Sequence, residues 1–403
     1  MNPRLPPHVR SLSALRPKSI ASPRRAARLS LRALCTAAPP VDGIPAPQWR
    51  VAKAIMRHDH AALDASLPAL LSLLDRRGAG ECWHKHGTFK EHLHECHNVL
   101  RLWLQPDALC RLGLFHSAYS NSYVNLAIFD PGEDRSTVRE AIGEEAEALV
   151  HKLCVVPRHQ IVWDELAERG VIPPEGMQTR HIRSGDAVSL SAAELRHLLV
   201  FTMADIAEQY AGWYDDVFDY PARGAIFAPG ASLTAAGHRP AALWPGGCKP
   251  GLWVSHVSRL GRAVASHPHA DGCPLPPVFA RCSRVITPEE ELEARDAYCR
   301  VVSDGEPSDE NVRTLRHAAA LNPFVGEPRT VLAQCLLARG DFDAAAAEAA
   351  EAMRLHCAWG TSWDKRMRWG GWIAWTRVLH NKATERSPWP ESAWGAVNLG
   401  LVR

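Results

Sequence analysis

Six histidines lie between Trp83 and Asn125: His84, His86, His92, His94, His97 and His116. Imidazoles on facing helices can hold a divalent metal ion when they point inward and a carboxylate completes the set. The helical period decides which of the six do so. At about 100° per residue, Phe89, Leu93, Cys96, Leu100, Trp103 and Leu104 form one apolar arc, which Val99 extends. His92 falls inside that arc, His97 sits at its opposite edge and His94 points to the polar side. On the next helix Leu109, Leu112 and His116 recur at i, i+3 and i+7, so His116 also faces inward. The polar run Ser117-Ala-Tyr-Ser-Asn-Ser-Tyr123 that follows suits a site at a helix end better than apolar packing. A third inward group is Asp205, within the stripe Leu195, Leu198, Leu199, Thr202 and Ile206. A carboxylate forced into a core must be paired or bind a cation. The expected metal ligands are therefore His92, His116 and Asp205, with His84, His86, Ser117, Asn121 and Gln209 at the rim. For either histidine alone, a hydrogen-bonded core imidazole is the plainer alternative. Three inward groups together favour a site. A zinc cluster built from Cys82, His84, His86, His94 and His97 matches no finger or ribbon spacing.

The elements that must carry these groups have readable ends. Thr88-Phe-Lys-Glu91 is a capping box opening the His92 helix, and Gln105-Pro106-Asp107 separates it from the His116 helix. Thr137-Val-Arg-Glu140 reads as a second box, for a helix running over Val138, Ile142, Ala146, Leu149, Val150 and Leu153. Ser191-Ala-Ala-Glu194 opens the Asp205 helix. Upstream, Asp59 can cap a helix bearing Leu63, Leu67, Leu70, Leu71 and Leu74, in which Pro68 imposes a kink or a start nearer Ser66. Downstream, Pro288 opens a helix through Val302; Val312, Leu315 and Ala319 mark the next. Pro328 to Leu355 reads as a helical hairpin about Arg339-Gly-Asp-Phe-Asp343. Its Leu337, Gly340, Phe342 and Ala345 resemble one tetratricopeptide unit, fewer than a free-standing array needs.

An inward His, a second His in Gly113-Leu-Phe-His116 and a distant Thr202-Met-Ala-Asp205 resemble the HD superfamily of metal-dependent phosphohydrolases. The flanks are most similar to the hydrolase domain of the bifunctional guanosine tetraphosphate synthetase/hydrolases, over roughly residues 50 to 215. Lys85-His-Gly-Thr, Pro245-Gly and Trp363-Asp-Lys-Arg-Met resemble a plant and algal family built on a divergent HD-like domain, a likeness that brings no activity. The HD resemblance implies an all-helical fold, a divalent Mn, Fe or Zn ion and a nucleotide or other phosphoester as substrate. It also implies an Asp directly after the second His, where this chain has Ser117. The acidic pair that follows in the tetraphosphate hydrolases is replaced by Ser120 and Asn121. Two functions are therefore expected: a degenerate phosphohydrolase, or a non-catalytic HD-like protein that binds a ligand or partner. No catalytic residue is assigned.

Of the 403 residues, 46 are basic and 44 acidic, but seven Arg and one Lys stand in the first 41, where there is no acid. The remainder has 38 bases against 44 acids, so a general nucleic-acid role has no electrostatic footprint. An Arg- and Ser-rich, acid-free start reads as a transit peptide for a mitochondrion or plastid; a basic tail on a cytoplasmic protein is the alternative. No apolar run approaches the ~18 residues of a membrane helix. Eleven scattered cysteines without a Cys-x-x-Cys suit a reducing compartment. The expected organisation is all-α: a leader at 1–45, an HD-like helical domain at 46–222, a Pro/Gly-rich linker at 223–276 and a tetratricopeptide-like region at 277–403. Trp359, Trp363, Trp369, Trp372 and Trp375, interleaved with Lys365, Arg366 and Arg368, read as interdomain core, with a partner- or base-binding surface as the alternative.

Overall fold

Helices carry the chain, as the periodicity predicts. The computed structural model describes residues 38–84, 87–123, 126–210, 249–267 and 272–389. The expected leader up to residue 37, His86, the start of the expected linker and Trp394 lie outside the described residues.

In chain order the helices are α1 (Ala46–Met56), α2 (His60–Leu63), α3 (Leu67–Arg76), α4 (Phe89–Leu102), α5 (Asp107–Phe115), α6 (Arg135–Ile142) and α7 (Glu144–Val155). They continue with α8 (Ala192–Gln209), α9 (Val254–Ala265), α10 (Pro288–Asp304), α11 (Asp309–Leu321), α12 (Glu327–Ala338), α13 (Phe342–Trp359) and α14 (Trp369–Thr384). A π-helical segment, Gln160–Ala167, follows α7. Two small antiparallel hairpins complete the description: β1 (Trp83–His84) with β2 (Gly87–Thr88), and β3 (Met177–Arg180) with β4 (Ala187–Leu190).

Local chemistry sets the boundaries. Thr88 and Ser191 cap α4 and α8 through complete capping boxes with Glu91 and Glu194. Pro68 does not kink a long helix. The chain breaks at Asp64 and restarts with Ser66 as N-cap and Pro68 in the first turn, where its missing N–H costs nothing. Asp64 at that break accepts from Arg101 and Arg111, both at 3.0 Å, tying it to α4 and α5. The box expected at Thr137–Glu140 does not form. The helix begins earlier, at Arg135, and the predicted continuous helix is cut at Gly143, whose φ of 90° separates α6 from α7.

The core is built around α4, which packs on α5 and α8; α5 packs on α7 and α8 on α9. The helical hairpin predicted for Pro328–Leu355 is α12 and α13, and α14 closes against both. The described residues from Pro39 onward form one compact unit, so those of the regions expected as 46–222 and 277–403 share a core. Trp103 at the end of α4 donates its indole N–H to the Trp359 carbonyl at 3.0 Å. Gly360, at φ 74°, lies so close to Leu102 that an added Cβ would stand 2.6 Å from its Cδ2. Val41 and Ile44, inside the expected leader span, are buried with Trp49, Leu102, Met353 and Trp369.

Four of the five tryptophans between 359 and 375 are core, and Trp375 is partly buried against it. Trp359, Trp363, Trp369 and Trp372 are buried. Each indole N–H reaches a carbonyl: Trp359 to Phe324, Trp363 to Gly251, Trp369 to His356 and Trp372 to Asp364. Among the described residues, no helix is long and apolar enough to cross a membrane.

Candidate functional site

Helices α4, α5 and α8 bring His92, His116 and Asp205 together, as the wheel predicts. All three are buried. His92 sits one turn into α4, fixed in position by the Thr88–Glu91 cap. His116 is the C-cap of α5, and Asp205 lies in the last turns of α8.

The geometry follows from which nitrogen each ring has committed. The Nδ1–H of His116 donates to the Gly113 carbonyl at 2.8 Å. The Nδ1–H of His92 donates to the carboxylate of Glu208. Both Nε2 atoms are thereby left to face each other, and they do so at 3.3 Å. Asp205 Oδ1 lies 3.4 Å from His92 Nε2. With both Nε2 atoms unprotonated, two lone pairs and a carboxylate oxygen at such separations repel unless a cation lies among them; a proton on His92 Nε2, shared with His116 and Asp205, is the metal-free alternative. Ligand atoms about 2.1 Å from a tetrahedral metal stand roughly 3.4 Å apart, so the observed spacing fits a divalent ion.

Cys96 belongs to the same cluster. Its ligand atom and those of His92 and His116 all lie within 4.8 Å of one another, and this buried group could hold a metal ion. The thiol, however, is 3.7 Å from His92 Nδ1 and 4.0 Å from Nε2. It stands beside the ring, nearer the nitrogen that Glu208 occupies. Burial pushes this thiol up to about 12. Asp205 reaches His92 Nε2 through Oδ1 but is not part of this three-residue group.

Charge is compensated by neighbours. Burial would raise the Asp205 carboxyl, but His92, His116 and Arg158 hold it well below the carboxylate range. Arg158 is buried with it, Nη2 3.2 Å from Oδ2, under the rings of Tyr123 and Phe201. Burial lowers His116 to about 3, with Asp205 acting against that. Burial acts downward on His92 too, and is outweighed by Cys96, Glu208 and Asp205, which raise it well above its ordinary value.

The expected rim residues divide. Gln209 Nε2 donates to Asp205 Oδ1 at 2.8 Å, and its Oε1 lies 3.3 Å from His84 Nε2. The His84 ring stacks on His92 at 4.4 Å. Both therefore orient the centre. Ser117 and Asn121 are buried and bonded to each other at 2.9 Å, so a neutral pair follows His116 where the HD resemblance implies an aspartate. His97, placed at the arc's edge, is fully buried away from the centre.

Two site residues escape the sequence reading: Cys96 and Glu208. Cys96 is one turn beyond His92 on the same arc, and Glu208 one turn beyond Asp205; that i, i+4 and i, i+3 spacing was the available signal. Glu91, His94 and Glu95, assigned to the polar side of α4, line a cavity of about 680 Å³ together with His92 and Glu208. The polar face of α4 therefore looks into this cavity. The opposite wall is the 360–371 segment, with Lys365, Arg366 and Arg368.

A family described as a domain of unknown function (DUF6817) matches residues 73–158. That stretch holds His92, Cys96 and His116, ends at Arg158 and stops short of Asp205. No curated protein and no solved structure matches the chain.

Proposed function

We propose that this protein is a divalent-metal centre of phosphohydrolase type, with His92, His116 and Asp205 as ligands and a phosphoester of nucleotide size as substrate. The observation that carries this is the pair of Nε2 atoms facing each other at 3.3 Å while both Nδ1 atoms are committed elsewhere. A divalent ion held there supplies Lewis acidity toward a phosphoryl oxygen. The chain's own residues do the remaining work. Glu208 fixes the His92 tautomer, as carboxylates behind metal-bound histidines do. Arg158 and Gln209 fix the Asp205 carboxylate. Glu95 opens onto the cavity beside Glu208, where a carboxylate can take or give a proton.

The Ser117–Asn121 pair favours a second reading. With no carboxylate after His116, the centre binds a ligand without turning it over.

The test is metal analysis and phosphate release by the purified protein, compared with His92→Ala and Asp205→Ala. The proposal expects stoichiometric Mn, Fe or Zn, and release from p-nitrophenyl phosphate or a nucleotide, with both lost in each variant. Metal without release on any substrate supports the second reading. Metal-free protein whose stability is indifferent to both substitutions sinks the first and second alike.

A further inference from the structure

The cavity beside His92 has two walls of different origin. One is α4 with the end of α8; the other is the 360–371 segment of the C-terminal helical region. That segment is firmly placed. Glu327 accepts from the backbone N–H groups of Trp363 at 2.6 Å and Asp364 at 3.2 Å. Tyr298 donates to Asp364 at 2.7 Å. Lys365 Nζ donates to Thr361 Oγ1 at 2.6 Å and reaches across to the Ala207 carbonyl of α8 at 2.9 Å.

Most charges on the walls are already committed. Arg366 is spent on Asp364, with its Nε at 2.9 and 3.1 Å from the two oxygens. Glu91 closes the α4 capping box, and Glu208 receives His92. Lys249 pairs with Asp296 at 3.5 Å. Lys365 keeps one N–H beyond its bonds to Thr361 and Ala207, and Glu95 is held by Asn98, which leaves the Arg368 guanidinium. Lys365 faces Glu208 and Glu95. Arg368 is exposed on the cavity wall and, among the described residues, has no hydrogen-bonded or ion-paired partner. Four cationic side chains (Lys249, Lys365, Arg366, Arg368) and four acidic ones (Glu91, Glu95, Glu208, Asp364) line the cavity, and Lys249 is matched outside it by Asp296, so the lining carries no positive surplus of its own. Behind them Asp205 is matched by Arg158. A divalent ion then makes the site net positive, which an anion neutralises. A guanidinium is suited to hold such a group, because its planar fork matches two phosphate oxygens. The volume lies within the ~300–1,000 Å³ of small-molecule sites.

We infer that this cavity receives a small dianionic phosphate-bearing molecule, gripped from the side opposite His92 by Arg368 with Lys365 beside it. The C-terminal helical region is thereby half of the binding site. This rests on the metal reading above, since the ion supplies the surplus charge.

The probe is phenylphosphonate, a dianion at pH 8 that cannot be hydrolysed, with benzenesulfonate as the monoanionic control. Binding is measured by calorimetry on full-length protein loaded with Mn, whose metal content is measured in the same samples. The expected result is a phosphonate affinity well above that of the sulfonate. Arg368→Gln should weaken it at least about ten-fold with unchanged metal content, the loss expected for one charge-assisted contact, and Arg368→Lys should recover part of it. Because Arg368 is exposed, these variants should fold; Lys365→Met is the riskier companion. Equal phosphonate affinity in wild type and Arg368→Gln overturns the inference, as does the absence of phosphonate binding at any Mn loading. Arg368-dependent binding in protein that holds no metal would uphold the anion wall and refute the metal centre.

Discussion

At His92 the two ring nitrogens have separate tasks, and the residues behind the ring matter as much as the ring. Nδ1 is held by Glu208, and Nε2 is turned toward His116 and Asp205. Losing the carboxylate behind a metal-bound histidine typically weakens metal binding by about 10–100-fold. Glu208→Gln should show a loss of that order in competitive chelator titration while remaining folded, and unchanged affinity would remove Glu208 from the centre. The inward histidines and Asp205 were legible because burial follows the helical period. Glu208 was not. It adjoins the stripe of α8 rather than occupying it, and its role depends on α4 crossing beside it, which periodicity along one helix does not report. Arg158 is buried for the same reason: its partner Asp205 lies 47 residues away.

Among the elements, α4 faces the core on one side and the cavity on the other. Its cap and its arc from Phe89 to Leu100 appear as expected, but the helix ends at Leu102, and Leu104, expected on the arc, lies beyond it, exposed and at a φ of 56°. The α6–α7 break is a second departure. Gly143 at positive φ divides an apolar pattern that runs unbroken through it in the sequence. The buried histidines away from the centre also give the fold a pH dependence. Burial lowers both His97 on α4 and His356 on α13 from 6.5 to about 3. Below pH 6.5 the unfolded chain takes up a proton at each while the native protein does not until about pH 3. The unfolded state thus binds more protons, and stability falls as pH drops through that window, by up to about 1.4 kcal/mol per pH unit for each histidine. Urea unfolding from pH 7 to 4 should show the slope, and His97→Met should make it shallower by about one proton's worth. Parallel curves for wild type and variant would contradict this.

The whole molecule joins what composition separates. The Pro- and Gly-rich stretch between the two helical regions suggests a linker, yet α9 within it packs on α8, and the Trp103 indole at the end of α4 donates to the Trp359 carbonyl of the C-terminal region. The all-helical class was legible; the shared core was not, because its key bonds, such as Trp103 to Trp359 and Lys365 to Ala207, span more than 150 residues. This joining sets the cationic wall opposite His92 and makes one cavity from two regions. Everything proposed for that cavity depends on a metal ion held by two imidazoles and a carboxylate rather than by the neighbouring thiol. X-ray absorption spectroscopy of the zinc-loaded protein tests this most directly. The predicted spectrum shows nitrogen and oxygen at about 2.0–2.1 Å with imidazole scattering and no sulfur. A sulfur shell at about 2.3 Å would instead place Cys96 in the first coordination sphere, and protein that retains no zinc after dialysis would remove the centre altogether.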